Sequence, residues 1–262
     1  MMRRLLLAVL LGGLVFAAPA LAITFGQVDG EAHPKVGALV VRLHDQDGTL
    51  IPICSGTMVS SKVFLTAGHC TFLPDVFFGP GNYDLGATFL TDLSSLDAGD
   101  VIFGQGHTHP AFFPNAPTAA KKAIDIGLVV LARDPGVGWA QLPEEGLLDR
   151  TDLRTASFTT VGYGAVREDK TKGPQALLPN ALRRFAIQSA SNLNESWFKL
   201  SMNPSTGDGG TCFGDSGGPH FLEDTEIVVS VTSHGDAPCR SSDWTARVDT
   251  KEALDFIDSF SD

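Results

Sequence analysis

The chain has little positive charge, few cysteines and no long apolar run beyond its first residues, and each shortage excludes a class of protein. Its 262 residues include 19 Lys and Arg against 30 Asp and Glu, which gives a formal net charge of −11. Such an acidic surface repels phosphate and disfavours a general nucleic-acid-binding protein. Four cysteines are too few for a miniprotein built on dense disulfides. After residue 22, no segment is long and apolar enough to span a membrane.

Hydrophobic residues, glycine and proline are plentiful. Apolar residues make up 43% of the chain, enough for a sizeable core, which excludes wholesale disorder. Short runs rich in β-branched and aromatic residues recur between Gly, Pro and Asp, a pattern that predicts an all-β barrel or sandwich. Arg183 and Arg184, in one of these runs, are interpreted as a solvated pair on a strand. The runs are 36–43, 57–66, 126–131, 157–161, 182–187, 227–232 and 244–248.

Two further segments differ from this β pattern. The stretch 131–154 is rich in Gly and Pro and is the best candidate for a connection between two β halves. Near the C-terminus, Asp249 stands three residues before Glu252 in a capping-box-like start, which predicts a short helix. The apolar residues at helical spacing there are Ala253, Leu254, Ile257 and Phe260.

The first 22 residues have the layout of a secretory signal peptide. Arg3 and Arg4 precede a 14-residue apolar run, and residues 20–22, Ala-Leu-Ala, fit the small-x-small cleavage pattern. The run is shorter than the ~20 residues that a membrane span needs, which disfavours a retained anchor. We therefore expect a signal peptide over residues 1–22 and export of the chain to the extracellular space or the periplasm, without a membrane attachment afterwards. Cysteines pair by default in these oxidising compartments.

Ser216 is the first candidate for a reactive side chain, in the segment 211–219, which reads TCFGDSGGP. A hydroxyl is a weak nucleophile that needs a base for its proton and donors for the oxyanion that forms. Neighbouring glycines let a substrate backbone approach. Taken alone, a simple turn explains this pattern equally well.

A histidine and an acid elsewhere in the chain complete the chemistry that such a serine needs. His69 follows an apolar run and stands next to a cysteine in LTAGHC, residues 65–70. Asp125 lies in the otherwise apolar, strand-like segment AIDIGLVVL, residues 123–131. A carboxylate in such a run requires a partner, because burying an unpaired charge is costly. It would orient the imidazole and stabilise its protonated form.

Together these segments resemble the chymotrypsin-like (trypsin-fold) secreted serine endopeptidases. LTAGHC, DIGL at 125–128 and GDSGGP at 214–219 are similar to the family's histidine, aspartate and serine motifs, in the family's order. GYG at 162–164 resembles a family Gly-Trp-Gly segment, and SHG at 233–235 resembles its Ser-Trp-Gly strand, with His234 as a departure.

The resemblance implies an all-β fold of two six-stranded antiparallel barrels packed together, with a short C-terminal helix. One trypsin-like peptidase domain would cover residues 23–262. Within it, the first barrel is expected at about 35–135, the second at about 150–248 and the helix at about 250–260.

The resemblance also implies a serine endopeptidase that works through an acyl-enzyme intermediate. Ser216 would attack the scissile carbonyl, His69 would take and later return the proton, and Asp125 would fix the tautomer of His69. The N–H groups of Gly214 and Ser216 would form the oxyanion hole, and Ser233 would donate a hydrogen bond to Asp125. No metal or organic cofactor is expected. Polypeptide substrates and protein protease inhibitors are the expected partners of a monomeric enzyme.

A buried ion pair at a new N-terminus is a further implication. In the family, the α-amine of the mature chain pairs with the aspartate that stands here as Asp215. Ile23 begins ITFG, similar to the family's Ile-Val-Gly-Gly start, directly after the expected signal cleavage. We hypothesise that signal peptidase itself releases Ile23, whereas cleavage after Ala20 would leave two residues to be trimmed.

The disulfides are also taken from the resemblance, which pairs Cys54 with Cys70 and Cys212 with Cys239. Four cysteines alone allow three connectivities.

The residues of the specificity pocket leave two alternatives open. Gly210 occupies the position, six residues before the nucleophile, where trypsins carry an aspartate. Asp243 lies on the segment expected to form the opposite wall, where it would receive Arg or Lys unless it is an ordinary solvated loop acid. A small apolar floor of Gly210 and Thr211 would instead favour uncharged side chains. Ser233 and Gly235 complete the expected substrate-binding residues.

The alternative function is a catalytically silent trypsin-fold protein that binds partners. Such proteins usually lack a member of the triad, and none is missing here. The segment 214–218 also fits the nucleophile elbow of an esterase, but that motif needs a following helix and the order Ser, acid, His.

Overall fold

A computed structural model describes residues 23–112, 124–167 and 175–261. The predicted signal peptide, residues 1–22, lies outside this range. Among the described residues, no helix is long and apolar enough to cross a bilayer.

The first barrel closes from six antiparallel strands in the order β2-β3-β4-β7-β6-β5. The predicted run 57–66 divides into the end of one strand, a turn and the next strand. A helix follows the third strand of the barrel. The elements are β1 (Gln27–Val28), which precedes the barrel, β2 (Val36–Leu43), β3 (Leu50–Met58), β4 (Val63–Thr66), α1 (Gly68–Phe78), β5 (Tyr83–Thr88), a 3₁₀ turn (Ala98–Asp100), β6 (Ile102–Thr108) and β7 (Gly127–Leu131).

The second barrel closes from six antiparallel strands in the order β8-β11-β12-β15-β14-β13, and β1 pairs with the first two residues of β11. The elements are α2 (Leu147–Arg150), β8 (Ser157–Gly162), a small hairpin of β9 (Val166–Arg167) and β10 (Leu177–Leu178), β11 (Arg184–Leu193), β12 (Trp197–Ser201), a 3₁₀ turn (Pro204–Thr206), β13 (Pro219–Leu222), β14 (Val228–Gly235), β15 (Ser242–Arg247) and α3 (Lys251–Asp258). The two closed barrels and the short C-terminal helix confirm the predicted fold class.

One hydrophobic cluster joins the two barrels. Val36, Leu65 and Leu128 contribute from the first barrel, and Val161 and Phe221 contribute from the second. Each of these side chains is almost fully buried, and such burial stabilises a fold by roughly 1.5–3 kcal/mol per side chain. The barrels therefore share a core, and the loops at their junction are held in fixed positions.

Helix α3 packs Ala253 and Ile257 into the same cluster. Its N-cap is Thr250, whose Oγ1 accepts the N–H of Ala253 at 3.3 Å. The predicted capping role of Asp249 is wrong, because this buried carboxylate instead accepts a hydrogen bond from Nε of Arg247 at 2.8 Å.

A buried ion pair ties the N-terminal segment to the second barrel. The guanidinium of Arg183 is fully buried, and its Nε donates to Oδ2 of Asp29 at 2.8 Å. Its other nitrogens donate to the carbonyls of Gly30 at 2.7 Å and Val36 at 3.1 Å. Arg184 is also buried. The interpretation of Arg183 and Arg184 as a solvated pair is therefore wrong.

Candidate active site

The junction of the barrels receives residues from both of them. His69 is the second residue of α1, directly after β4, and Asp125 lies just before β7. The second barrel contributes Ser216, just before β13, and Ser233, on β14. The two barrels thus bring residues that are far apart in sequence to the junction between them.

His69 and Asp125 form a hydrogen-bonded pair. Nδ1 of His69 lies 2.9 Å from Oδ2 of Asp125, and the backbone N–H of His69 donates to Oδ1 at 2.8 Å. Burial would raise the pKa of Asp125, but the charge and hydrogen bond of His69 and the hydroxyl of Ser233 lower it below its usual value. An ionised carboxylate only accepts, so Nδ1 of His69 is the donor. Nε2 is then free to accept a proton.

Ser216 is held beside this pair by its own backbone. Its carbonyl oxygen accepts the N–H of Ser55 at 2.8 Å and lies 3.7 Å from Sγ of Cys70, the residue after His69. The following residue, Gly217, has φ of +78°, and a Cβ there would lie 2.0 Å from Oγ1 of Thr66. Only glycine fits this position, which explains the residue that follows the serine.

Both disulfides implied by the family resemblance are present. Cys54–Cys70 fixes the first turn of α1, where His69 lies, to β3. Cys212–Cys239 joins the segment before Ser216 to the segment after β14. Since the sulfurs of Cys54 and Cys70 are bonded to each other, they do not form a thiolate metal site with the nearby His69.

Asp215 is a fully buried carboxylate without a cation beside it among the described residues. It accepts the N–H of Gly164 at 2.7 Å and of Cys212 at 2.9 Å. Burial raises the pKa of Asp215 to about 7, with a smaller contribution from the charge of Asp243. A Cβ on Gly162 or Gly164 would lie 2.2 Å from its oxygens. The GYG segment therefore needs both glycines to make room for this side chain.

The first two residues of the expected mature chain, Ile23 and Thr24, are buried against the second barrel. Ile23 is fully buried. Thr24 accepts the N–H of Gly210 at 2.8 Å and donates its hydroxyl to the carbonyl of Gly210 at 3.0 Å. Thr24 thus fixes the beginning of the expected mature chain to the segment that leads into Asp215.

A cavity of about 190 Å³ opens beside Ser216. Three predicted substrate-binding residues, Thr211, Ser233 and Gly235, line it. Asp236, which the sequence analysis did not single out, lines it as well. Both oxygens of Asp236 accept backbone N–H groups of the loop that follows, at residues 240–242. Its charge is therefore committed to holding that loop.

Gly210 and Asp243 are not among the described residues that line this cavity, and their place in a specificity pocket stays a prediction. A Cβ on Gly210 would lie 2.1 Å from Cγ of Met202, so the methionine fills the space beside this glycine. Asp243 is fully buried and accepts hydrogen bonds from His220 at 3.0 Å and Gln188 at 3.2 Å. Asp243 is therefore not a solvated loop acid.

Two closed β-barrels with a His–Asp pair and a serine at their junction define a protein with the architecture of chymotrypsin. The family model "Trypsin" matches residues 28–257, and the chain belongs to the trypsin family. The trypsin-like protease of Streptomyces glaucescens is 27% identical over 205 residues, covering 72% of this chain and 67% of that protein. The cercarial protease of Schistosoma mansoni is 28% identical over 212 residues, covering 70% of each. The HL collagenase structure superposes with a TM-score of 0.66 at 19% identity over 90% of this chain and 97% of that one, a likeness of fold.

Proposed function

We propose that the protein is a secreted serine endopeptidase whose catalytic residues are Ser216, His69 and Asp125. The observation that carries this proposal is the His69–Asp125 pair, which leaves Nε2 of the imidazole able to accept a proton, next to a segment of chain that ends at Ser216, whose carbonyl oxygen lies 3.7 Å from Sγ of Cys70. The family match and the relatives named as proteases support it. Export is supported by the two disulfides, which persist in oxidising compartments.

In the proposed mechanism, Nε2 of His69 takes the hydroxyl proton of Ser216 as Oγ attacks the scissile carbonyl. The buried carboxylate of Asp125 stabilises the imidazolium that forms. His69 then protonates the leaving amine, and a water molecule hydrolyses the acyl-enzyme by the same steps. The chain supplies the acid, the base and the first nucleophile from its own side chains, and water is the second nucleophile.

Two backbone donors are available for the oxyanion. In the described part of the chain, the N–H groups of Gly214 and Ser216 donate to no protein acceptor, although that of Asp215 between them donates to the carbonyl of Cys212. Gly214 has φ of +102°, a conformation that favours glycine. Two free N–H groups, one on the nucleophile Ser216 itself and one on Gly214 two residues before it, are the arrangement that an oxyanion hole requires.

A serine-directed reagent distinguishes the enzyme from a silent binding protein. We expect a phosphonofluoridate to label the secreted protein at one site and to abolish peptide hydrolysis. Ser216→Ala should lose labelling completely, whereas Ser205→Ala, in a 3₁₀ turn away from the cavity, should label like the wild type. Folded protein that resists labelling would instead favour a binding function.

The maturation proposal concerns the α-amine of Ile23, which would supply the cation that Asp215 lacks. We expect N-terminal sequencing of active, secreted protein to begin at Ile23, and any other stable start contradicts the idea. A chain still extended before Ile23 cannot supply the amine. In such an extended chain, burial raises the pKa of Asp215 to about 7 from an ordinary value of 3.8. The free energy of unfolding of the extended chain should therefore fall as pH rises between these values. Asp215→Asn should remove that pH dependence.

For the residue on the acyl side of the scissile bond, P1, we propose an uncharged side chain. The cavity is small, and Asp236, the one carboxylate that lines it among the described residues, is already bound by backbone donors. We expect a panel of P1-varied peptides to show no preference for Arg or Lys, and Asp243→Asn to leave the ranking unchanged. A basic preference that disappears in Asp243→Asn would contradict this assignment and restore Asp243 as the counter-ion.

A further inference from the structure

The hydrogen-bonded chain at the barrel junction continues beyond Asp125 to His234. Oδ2 of Asp125 accepts from Nδ1 of His69 at 2.9 Å and from the hydroxyl of Ser233 at 2.5 Å. The same hydroxyl oxygen lies 3.2 Å from Nδ1 of His234. His234 is thus linked through one hydroxyl to the carboxylate that orients the proposed general base.

The protons of this hydrogen-bonded chain can be placed in one consistent arrangement. Ser233 has a single hydroxyl proton, and the ionised Asp125 accepts it. Ser233 Oγ can then only accept from His234, so Nδ1 of His234 carries a hydrogen. In the neutral ring, Nε2 is consequently the unprotonated nitrogen.

The surroundings of His234 keep its ring neutral near pH 7. Nε2 is buried and has no partner among the described residues, so a proton there would be an unsatisfied buried donor. Burial lowers the pKa of His234, and the charge of His69 lowers it further, while Asp125 and Asp243 act in the opposite direction. Lys199, on β12, places its Nζ over the ring of Trp244, 5.0 Å from the ring centre.

Two tryptophans fix the orientation of the ring. Trp197 meets it edge to face, with 5.3 Å between ring centres, and Trp244 lies parallel to it at 6.1 Å. A tryptophan at position 234, as in the motif that this strand resembles, would place a C–H group where Nδ1 stands and could not donate to Ser233. The Nδ1–H donor of His234 is therefore specific to the sequence of this protein.

We propose that His234 is a positioning residue of the catalytic centre, an inference that rests on the proposed peptidase function. Its Nδ1–H holds the hydroxyl of Ser233 with the proton on Asp125 and strengthens that hydrogen bond, since linked hydrogen bonds polarise one another. The charge of Asp125 is then shared with Ser233, and the carboxylate attracts the imidazolium of His69 less strongly. Removing the donor of His234 should therefore strengthen the attraction of Asp125 for the imidazolium, which the acid limb of the pH profile of kcat/KM reports.

The test is the pH profile of kcat/KM for His234→Phe, which keeps an aromatic ring and removes the donor. Loss of one hydrogen bond predicts a roughly twofold to tenfold decrease in kcat, little change in KM, and an acid limb displaced to higher pH. His234→Asn, whose side-chain N–H stands close to the position of Nδ1, should restore the acid limb. His44→Phe, the same substitution at an exposed histidine directly after β2, is the matched control and should leave the pH profile unchanged.

A second mutant cycle separates positioning from a general structural effect. In a Ser233→Ala background, Nδ1–H of His234 has no hydroxyl acceptor. The further change His234→Phe should then not displace the acid limb of the pH profile. An equal displacement in both backgrounds, or no displacement in either, would overturn the proposal.

A measurement without hydrolysis covers variants that fail to fold and separates this inference from the proposed function. ¹⁵N NMR of histidine-labelled wild-type protein should show the Nδ1–H tautomer for His234 at pH 7. A protein with this tautomer that hydrolyses no peptide would refute the peptidase function and leave the hydrogen-bonded chain standing. An active enzyme with the Nε2–H tautomer would refute the role of His234 alone.

Discussion

Replacing Asp125 by asparagine is expected to lower kcat by about 10⁴-fold, the size of effect that loss of the orienting carboxylate has in a Ser-His-Asp centre. The amide is isosteric, so the packing around the junction should survive. Its NH₂ group, however, would donate to Nδ1 of His69, which now donates to Asp125 at 2.9 Å. The hydrogen would then sit on Nε2, and His69 could not accept the proton of Ser216.

Steady-state kinetics on the best peptide from the P1 panel measures this effect. Asp258→Asn, an exposed change at the end of α3, provides a control with the same chemistry. A loss smaller than about tenfold in Asp125→Asn would show that Asp125 does not set the tautomer.

Asp29→Ala is expected to decrease the free energy of unfolding by about 3–5 kcal/mol, because it leaves the buried guanidinium of Arg183 without its counter-ion. Both side chains of this ion pair are fully buried. The Arg42–Asp84 ion pair offers a matched control, since its side chains are about one-third exposed. Asp84→Ala should therefore cost no more than about 1 kcal/mol.

Urea unfolding of both variants measures the difference, and similar losses in the two would contradict the assignment of Asp29 and Arg183 as a central support. The pH dependence provides an independent check. Burial raises the pKa of Asp29, but hydrogen bonds and charges from His33 and Arg183 lower it below its ordinary value of 3.8. The stabilisation is thus present above about pH 4 and should be lost as pH falls through the lowered pKa.

The sequence predicted best what depends on short motifs. The histidine, aspartate and serine motifs each specify a local geometry, and Gly164 and Gly217 are glycines because a Cβ would collide with a carboxylate or a hydroxyl. The fold class followed from motif order and from β-rich runs. Strands β5 and β6 were not predicted, because their sequences, YDLGAT and IFGQGHT, lack a continuous β-branched run. Gly104 in β6 is needed since a Cβ there would lie 2.3 Å from the carbonyl of Val130 on β7.

Contacts between distant parts of the chain were beyond a reading of the sequence. Arg183 looked solvated because its counter-ion stands 154 residues earlier. The alternative of a solvated Asp243 arose because its partners, His220 and Gln188, lie 23 and 55 residues away. Met202 likewise fills the space beside Gly210 from another strand's end. Only the closed second barrel brings these groups together.

The burial of Ile23 has a consequence for the order of events in biosynthesis. A processing enzyme needs an extended and accessible chain, whereas Ile23 is enclosed once the second barrel has formed. The cut proposed before Ile23 would therefore be made during export, ahead of folding, and the finished barrel would close around an amine that already exists. Folding itself would then switch the enzyme on, with no dormant precursor to accumulate. Restraint of its activity would fall to the inhibitors and the surroundings that the protein meets outside the cell.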